Sequence, residues 1–578
     1  MSLTVTKATA TESRQVAPHQ SWGDCATEWN RRILLAGVLL GVAARIISLG
    51  SKSLWFDEAV SARYLDFSLP EILRSCADIR SAHPPLYFLL LRLWSMVWGT
   101  SDVALRALAA LFGIMTIIGT YGLVRAAGRL SLSWSKVAGP AALLAATLVS
   151  LSPLQIQLSQ QVRGYTLGTA LYVWGGWALI HAAHAPVWRG TGWVLYALLA
   201  LGLCYTHNLG PLLVGTQLIW LGLLLVARCG TRIPGRGLPA SDSGTGALNS
   251  QARLNLIKGM ALVSLILIFG YVVPWGPRLL GQSDTLRHDF SMPITLQDAI
   301  NNLFRALFAT FDSDPNPDAT GAWIVTCGVG IVLVYLVIRG GWLGLYLFLN
   351  GVVPVLVMVG FSLVSNRTLL MPRYLGFTQV IWLIGIGVAA GGIRYPIERM
   401  MVSLWVVAWA IFACYDSWDI IGPSANPGMR GAIGHVLAHR APGEPIVSRS
   451  PFTFFGAVHY ARGRAVPRLC VNQRDLDSQR GAECLRVDDL VTPEMLVADG
   501  CPGIWFVSSN SYLTQLIVNF PAPDYWKREG IWMFDQDRFY EHPVVIEHYL
   551  VDRSAVRTPV SGEASRGRRG LAEHTESP

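Results

Sequence analysis

The sequence predicts a polytopic α-helical membrane protein with a small α/β domain at its C-terminal end. Of 578 residues, 52% are hydrophobic and only 14% charged, and the mean hydropathy is +0.40, far more apolar than a water-soluble chain of this length. Apolar runs of about 17 to 23 residues recur, and about 20 residues carry a helix across roughly 30 Å of hydrocarbon. Beyond residue 416 the runs stop, and short β-type segments alternate with polar ones.

Residues 1–30 are polar and rich in Thr, Ala and Ser, and lack the basic region, short apolar core and cleavage site of a leader peptide. They are expected to be disordered and cytoplasmic. The membrane unit is expected over 31–416. Its first span, 33–49, follows Arg31 and Arg32, which sets the N-terminus inside. The first outer loop, 50–102, contains a further apolar stretch at 84–98. Its apolar core reaches only about 20 Å at ~1.5 Å per residue, and Arg92 sits within it. Were it to cross, the span at 103–124 would leave Arg125, Arg129 and Lys136 outside. We therefore read it as an interfacial helix, with Trp94 and Trp98 at headgroup depth.

With that choice the later loops obey the same rule. Spans follow at 137–152, 164–183, 192–205, 209–226, 256–275, 322–338, 342–364, 374–391 and 400–415, which makes about 11 in all. The inner loop with Arg228, Arg232, Arg236 and Arg253 is rich in Gly, Ser and Pro and reads as a flexible linker; the outer loop 276–320 has helical periodicity at 296–311. An odd number of spans puts the C-terminal part outside. There 417–557 is expected to form the α/β domain, with strands at 445–447, 504–507 and 544–546, before a disordered tail at 558–578.

The net charge of +9 comes from Arg clustered in short inner loops, so it orients the chain and does not argue for nucleic acid. Nine cysteines without a CxxC pair argue against a structural zinc site. Cys470 and Cys484 are a candidate disulfide in the outer domain.

This topology gathers polar groups on one membrane face. They are Asp57 and Glu58 after the first span, His83 before Pro84-Pro85, Gln160, Gln161, Arg163 and Tyr165, then Thr206 and His207, then Arg373 and Tyr374. Asp57 and Glu58 lie within Leu54-Trp55-Phe56 and Ala59-Val60, which bury them near the bilayer, where a carboxylate is paired, metal-bound or poised as a base. His83 reads as a metal ligand, an anion contact or a structural histidine. Arg163 and Arg373 offer planar forks of donors suited to phosphate, although lipid headgroups are an alternative partner. Trp505, Trp526 and Trp532 are read as core packing of the outer domain rather than as sugar platforms.

The segments Leu54-Trp55-Phe56-Asp57-Glu58-Ala59 and His83-Pro84-Pro85-Leu86-Tyr87-Phe88, with Gly99 and Arg106, resemble the N-terminal signature of the membrane-embedded GT-C glycosyltransferases. Within these the likeness is to family 39 and its bacterial relatives, the protein O-mannosyltransferases and aminoarabinose transferases. It continues through Ser152-Pro153, Ser159-Gln160-Gln161-Val162-Arg163-Gly164-Tyr165, Tyr205-Thr206-His207 and Met371-Pro372-Arg373-Tyr374-Leu375, and covers most of 33–392.

The resemblance implies sugar transfer from a polyprenyl-phosphate carrier to an acceptor lipid, glycan or protein, in a bacterial inner membrane with an extracytoplasmic active site. It implies Asp57, with Glu58 beside it, as the catalytic carboxylate; His83, Arg163 and Arg373 at the donor phosphate; and Gln161, Tyr165, His207 and Tyr374 at the substrate. A divalent metal ion at Asp57 and His83 is left open. Relatives often carry Glu where Gln161 stands, and Gln supplies neither a base nor a charged metal ligand. The rival readings are a transporter or flippase of lipid-linked sugars, which calls for ionisable groups deep in several spans and an internal repeat, and a non-enzymatic membrane scaffold.

Overall fold

The computed structural model describes residues 22–552 apart from 79, 82, 129–136, 186–187, 231–242, 286–294, 311, 313–318, 366–368, 449, 471–480, 493–494, 497–500, 510–523 and 538–541. The expected C-terminal tail falls entirely outside these residues, as do residues 231–242 of the expected inner linker, whereas 243–255 of that linker, expected to be flexible, are helical.

Each of the predicted spans falls on a helix. The chain runs through α1 (Trp22–Ile47), α2 (Phe56–Arg63), α3 (Leu69–Ala77), α4 (Leu86–Trp98), α5 (Asp102–Ala127), α6 (Ala138–Ser150), α7 (Pro153–Ser159), α8 (Tyr165–His184), α9 (Gly190–Cys204) and α10 (Gly210–Gly230). It continues with α11 (Ser243–Leu267), a π-helical turn at Ile268–Val272, α12 (Val273–Thr285), α13 (Leu296–Phe308), α14 (Ala319–Ser365), α15 (Pro372–Gly391) and α16 (Pro396–Asp416). Among the described residues, 6 helices are long and apolar enough to cross a membrane, or 7 if the pair α6 and α7, bent by 62°, counts as one span.

Several boundaries differ from expectation for physical reasons. Helix α1 begins at Trp22, so residues 22–30, expected to be disordered, are helical, with Arg32 bonded one turn back to Glu28 at 3.1 Å. The spans at 322–338 and 342–364 lie on one helical run broken at Gly341, whose φ of 54° is open to glycine and strained for other residues. Arg373 and Tyr374 lie in the first turn of α15 rather than before it, because Pro372, lacking an N–H, starts the helix.

The bundle packs through small residues. A Cβ on Gly387 would lie 2.6 Å from Cα of Ala145, and one on Gly391 2.4 Å from Cα of Ala141, so α15 and α6 touch backbone to backbone. The break between α6 and α7 is built by Ser152, whose Oγ accepts from Gln155 N at 3.4 Å, and by Pro153 behind it. Gln379 of α15 donates to that same hydroxyl at 2.7 Å, and Gln155 bonds Gln379 at 2.8 Å. These bonds fix the Arg373 end of α15 against the turn that leads to Arg163.

Beyond α16, α17 (Trp418–Ile421) leads to a mixed sheet of β1 (Ile446–Ser448), β2 (Arg468–Cys470), β3 (Leu490–Val491), β4 (Gly503–Ser509), β5 (Trp526–Phe534) and β6 (Val544–Val551), ordered β3-β2-β1-β4-β6-β5. The pairs β3-β2, β2-β1 and β1-β4 are parallel; β4-β6 and β6-β5 are antiparallel. Helices α18 (Gly428–His439) and α19 (Pro451–Ala461) supply the helical part of this unit, with Met429, Ile433 and Val436 against Trp505, Val507 and Ile546. Trp505 and Trp526 are buried in the two cores flanking the sheet, and Trp532 packs at the edge of the first. The expected Cys470–Cys484 disulfide is not formed: Cys484 is a free thiol in the main apolar cluster, while Cys470 lies in the sheet core.

Candidate active site

The first carboxylate pair sits in the opening turn of α2, where unpaired backbone N–H groups favour negative charge. Glu58, at the third position of the helix, reaches back to the amide of Trp55 at 3.3 Å. Its two oxygens also receive the forked guanidinium of Arg106, Nε to Oε1 at 2.8 Å and Nη2 to Oε2 at 2.7 Å, and the amide of Val162 at 2.9 Å. Glu58 is 1% exposed and Arg106 3%. A catalytic role beside Asp57 therefore does not fit Glu58. Both of its oxygens are engaged by fixed donors, and its charge is held by a buried bidentate pair.

Asp57, one residue earlier, points to the other side. Its Oδ2 lies 3.3 Å from Arg373 Nη1 and 3.7 Å from Arg163 Nη2, and the side chain keeps 22% of its surface open. Arg163 also donates to the backbone oxygen of Asp57 at 3.3 Å, and its Nη2 meets Nε2 of His83 at 2.5 Å. The guanidinium carbon of Arg163 is 5.9 Å from the ring centre of Tyr165, and that of Arg373 is 5.6 Å from Tyr374. His207 sits among these rings, 5.8 Å from Tyr165, 5.4 Å from Tyr374 and 6.3 Å from His83. A bond from Leu86 N to Tyr205 O at 3.0 Å ties the His83 loop to the His207 loop.

A narrow cleft opens beside Arg163, lined by His83, Tyr87, Phe88, Tyr165, Thr206 and His207. Two cations, Arg163 and Arg373, face the Asp57 carboxylate here. Burial, with Arg163, His207 and Arg373 nearby, holds His83 well below the usual histidine range. Burial, then Arg163 and Arg373, pushes His207 down to about 3. Both imidazoles are neutral at physiological pH. The side-chain atoms Tyr87 Oη, Gln161 Oε1 and His207 Nε2 are buried and meet no hydrogen-bond partner among the described residues.

Of the residues singled out from sequence, Asp57, His83, Arg163, Tyr165, His207, Arg373 and Tyr374 come together. Gln160 does not join them: its amide spans Ala44 O at 2.8 Å and Ile421 O at 3.0 Å. A metal at Asp57 and His83 does not fit the donor set, because both face the Arg163 guanidinium. Among the described residues, no group of three or more His, Cys, Asp or Glu side chains gathers in a way that could hold one. Tyr87 was not anticipated; its place in the first turn of α4, four residues after His83, was the available signal. Nor was the partner of Glu58, although an Arg in the first turns of an apolar helix calls for a buried anion.

The fold is similar to that of a solved membrane glycosyltransferase of the GT-C fold. In particular, ArnT from Cupriavidus metallidurans in the apo state aligns with a TM-score of 0.53 at 11% identity, over 92% of this chain and 100% of that one. The same protein bound to undecaprenyl phosphate aligns at 0.49 and 12% identity, over 93% and 100%. The oligosaccharyltransferase of Archaeoglobus fulgidus in the apo form aligns at 0.45 and 12% identity, over 85% and 70%. No protein-family profile matches the chain, and no curated protein sequence does. The first likeness shows the fold that the signature segments led us to expect.

Proposed function

We propose that this chain is a membrane glycosyltransferase that moves a sugar from a polyprenyl-phosphate carrier to an acceptor hydroxyl. In this reading the helical unit spans the membrane about 11 times, as the charges of its loops require. The α2 loop, the cleft and the sheet domain then lie on the extracytoplasmic side. The observation that carries the reading is the placement of the Asp57 carboxylate between Arg163 and Arg373 at the edge of a cleft, with neutral His83 bonded to Arg163.

That geometry suits an inverting displacement. The donor phosphate, already anionic, binds the two guanidiniums and competes for them with Asp57, which frees the carboxylate to meet the acceptor. The acceptor oxygen forms its bond to the anomeric carbon as its proton passes to Asp57. The bond from anomeric carbon to phosphate oxygen breaks with its electron pair leaving on the phosphate, and Arg163 and Arg373 stabilise the charge gained. In this reading the Tyr87 hydroxyl and His207 Nε2, both on residues that line the cleft, bond hydroxyls of the sugar, and Gln161, buried two residues before Arg163, is a further candidate.

Reconstitution with a radiolabelled polyprenyl-phosphate sugar tests this. Transfer predicts release of the free carrier phosphate in step with loss of label from the lipid. Protection of intact labelled lipid inside the vesicles, without release, would assign the protein to flipping instead.

A further inference from the structure

The sheet domain meets the Asp57 segment at several points, among them the Arg63–Asp489 pair at 2.6 Å, and one set of these contacts gathers on the buried carboxylate of Asp102. Asp102, at the start of α5, is 8% exposed. Its Oδ2 receives Arg430 Nη2 of α18 at 2.5 Å and the hydroxyl of Tyr460 of α19 at 2.8 Å; its Oδ1 meets Nε2 of His459 at 2.9 Å. Three donors from two helices of the C-terminal domain thus converge on one side chain of a membrane helix.

From there the connection runs straight to α2. The Tyr460 hydroxyl that donates to Asp102 accepts the amide of Leu54 at 2.7 Å, and Leu54 opens the segment that carries Asp57. Arg430 bonds Lys52 O at 2.9 Å, and its amide donates to Ser53 Oγ at 3.1 Å. One turn along α5 from Asp102, Arg106 holds Ser53 O at 3.0 Å together with Glu58. Further on, the ring of Phe56 lies 4.1 Å from that of Phe452 in α19, and Arg462 bonds Ala62 O at 3.2 Å. Residues 52–62 are clasped between α5 and the sheet domain, and Asp57 projects from the clasped stretch.

We propose that Asp102 is a positioning residue: it docks helices α18 and α19 onto the α2 segment and so fixes the Asp57 carboxylate against Arg163 and Arg373. The C-terminal domain then serves the site from outside, without supplying a group that touches the donor. This rests on the glycosyltransferase reading for its kinetic consequence, while the coupling itself stands on the hydrogen bonds above. Asp102→Asn keeps the volume but removes an acceptor from a set of three donors. Tyr460→Phe deletes only the hydroxyl shared by Asp102 and Leu54.

The test uses the full-length protein in detergent. For Asp102→Asn we expect kcat to fall about 10- to 50-fold with KM for the polyprenyl-phosphate donor within about twofold, Tyr460→Phe to lose about three- to tenfold, and Asp102→Glu to recover part of the loss. Hydrogen exchange at 54–62 should quicken in both Asp102→Asn and Tyr460→Phe. Unchanged kcat and exchange in both variants would overturn the proposal. So would a loss of activity matched by raised KM and lowered thermal stability, which marks general destabilisation. If the wild-type protein transfers nothing, the functional reading fails, and exchange alone decides: faster exchange at 54–62 keeps the coupling and unchanged exchange removes it.

Discussion

The two sides of α2 hold adjacent carboxylates in opposite circumstances. On one side Glu58 is sealed at 1% exposure under a bidentate Arg106 and two backbone amides, with its hydrogen-bonding capacity used by fixed groups. On the other, Asp57 meets two guanidiniums at 3.3 and 3.7 Å, longer than charge-assisted bonds made for stability, and keeps contact with solvent. A buried, saturated pair is costly to break and has nothing left to offer a ligand. A loosely held, partly open pair can be exchanged for a better anion. In the proposed mechanism Glu58 holds the segment and Asp57 is the group left to act on a substrate.

Substitutions can break the comparison, beginning with the largest effect. Asp57→Asn should lower transfer by about 10²- to 10⁴-fold with thermal stability unchanged, as for loss of a general base; retained turnover would remove Asp57 from the chemistry. Glu58→Gln should instead cost about 3–5 kcal/mol of stability by stranding the Arg106 charge, seen as a lowered unfolding midpoint or failure to accumulate. A stable, inactive Glu58→Gln would return Glu58 to a catalytic role. Arg163→Gln and Arg373→Gln should each reduce kcat by about 10²- to 10³-fold, the expected loss for one donor to a developing negative charge.

A separate effect is one of pH. His207 is held near 3 in the folded protein, against about 6.5 when unfolded, and His83 is lowered in the same direction. Below pH 6.5 the unfolded chain takes up protons that the folded site refuses. Stability should therefore be full above about pH 7 and decline as pH falls below 6.5, for His207 down to about 3, with His83 acting in the same direction. His207→Gln should flatten that slope in thermal melts.

Much of this was legible in the sequence. Apolar run length and loop Arg residues placed Asp57, His83, Arg163, His207 and Arg373 at one end of the bundle before any coordinates, because span counting alone decides which ends of the helices meet. The division between Asp57 and Glu58 was not legible. Adjacent residues in a helical first turn point about 100° apart, and which one faces Arg106 depends on how α5 lies against α2. Asp102 and Tyr460 were invisible for the same reason, since their meeting joins residues from distant parts of the chain. In the sheet domain β1, β4 and β6 showed as apolar runs. β2 opens on Arg468 and offers only Leu469 and Cys470 as an apolar run, β3 has two residues, and the edge strand β5 carries Lys527, Arg528 and Glu529 on open surface, so their patterns read as loop.

The central claim is that Asp57 occupies the two guanidiniums until a phosphate takes them. It is tested most directly by the affinity of purified wild-type and Asp57→Asn protein for undecaprenyl phosphate in detergent, at one fixed ionic strength. Neutralising the competitor should tighten binding of the lipid phosphate while transfer is lost. Equal or weaker binding by Asp57→Asn would contradict the account.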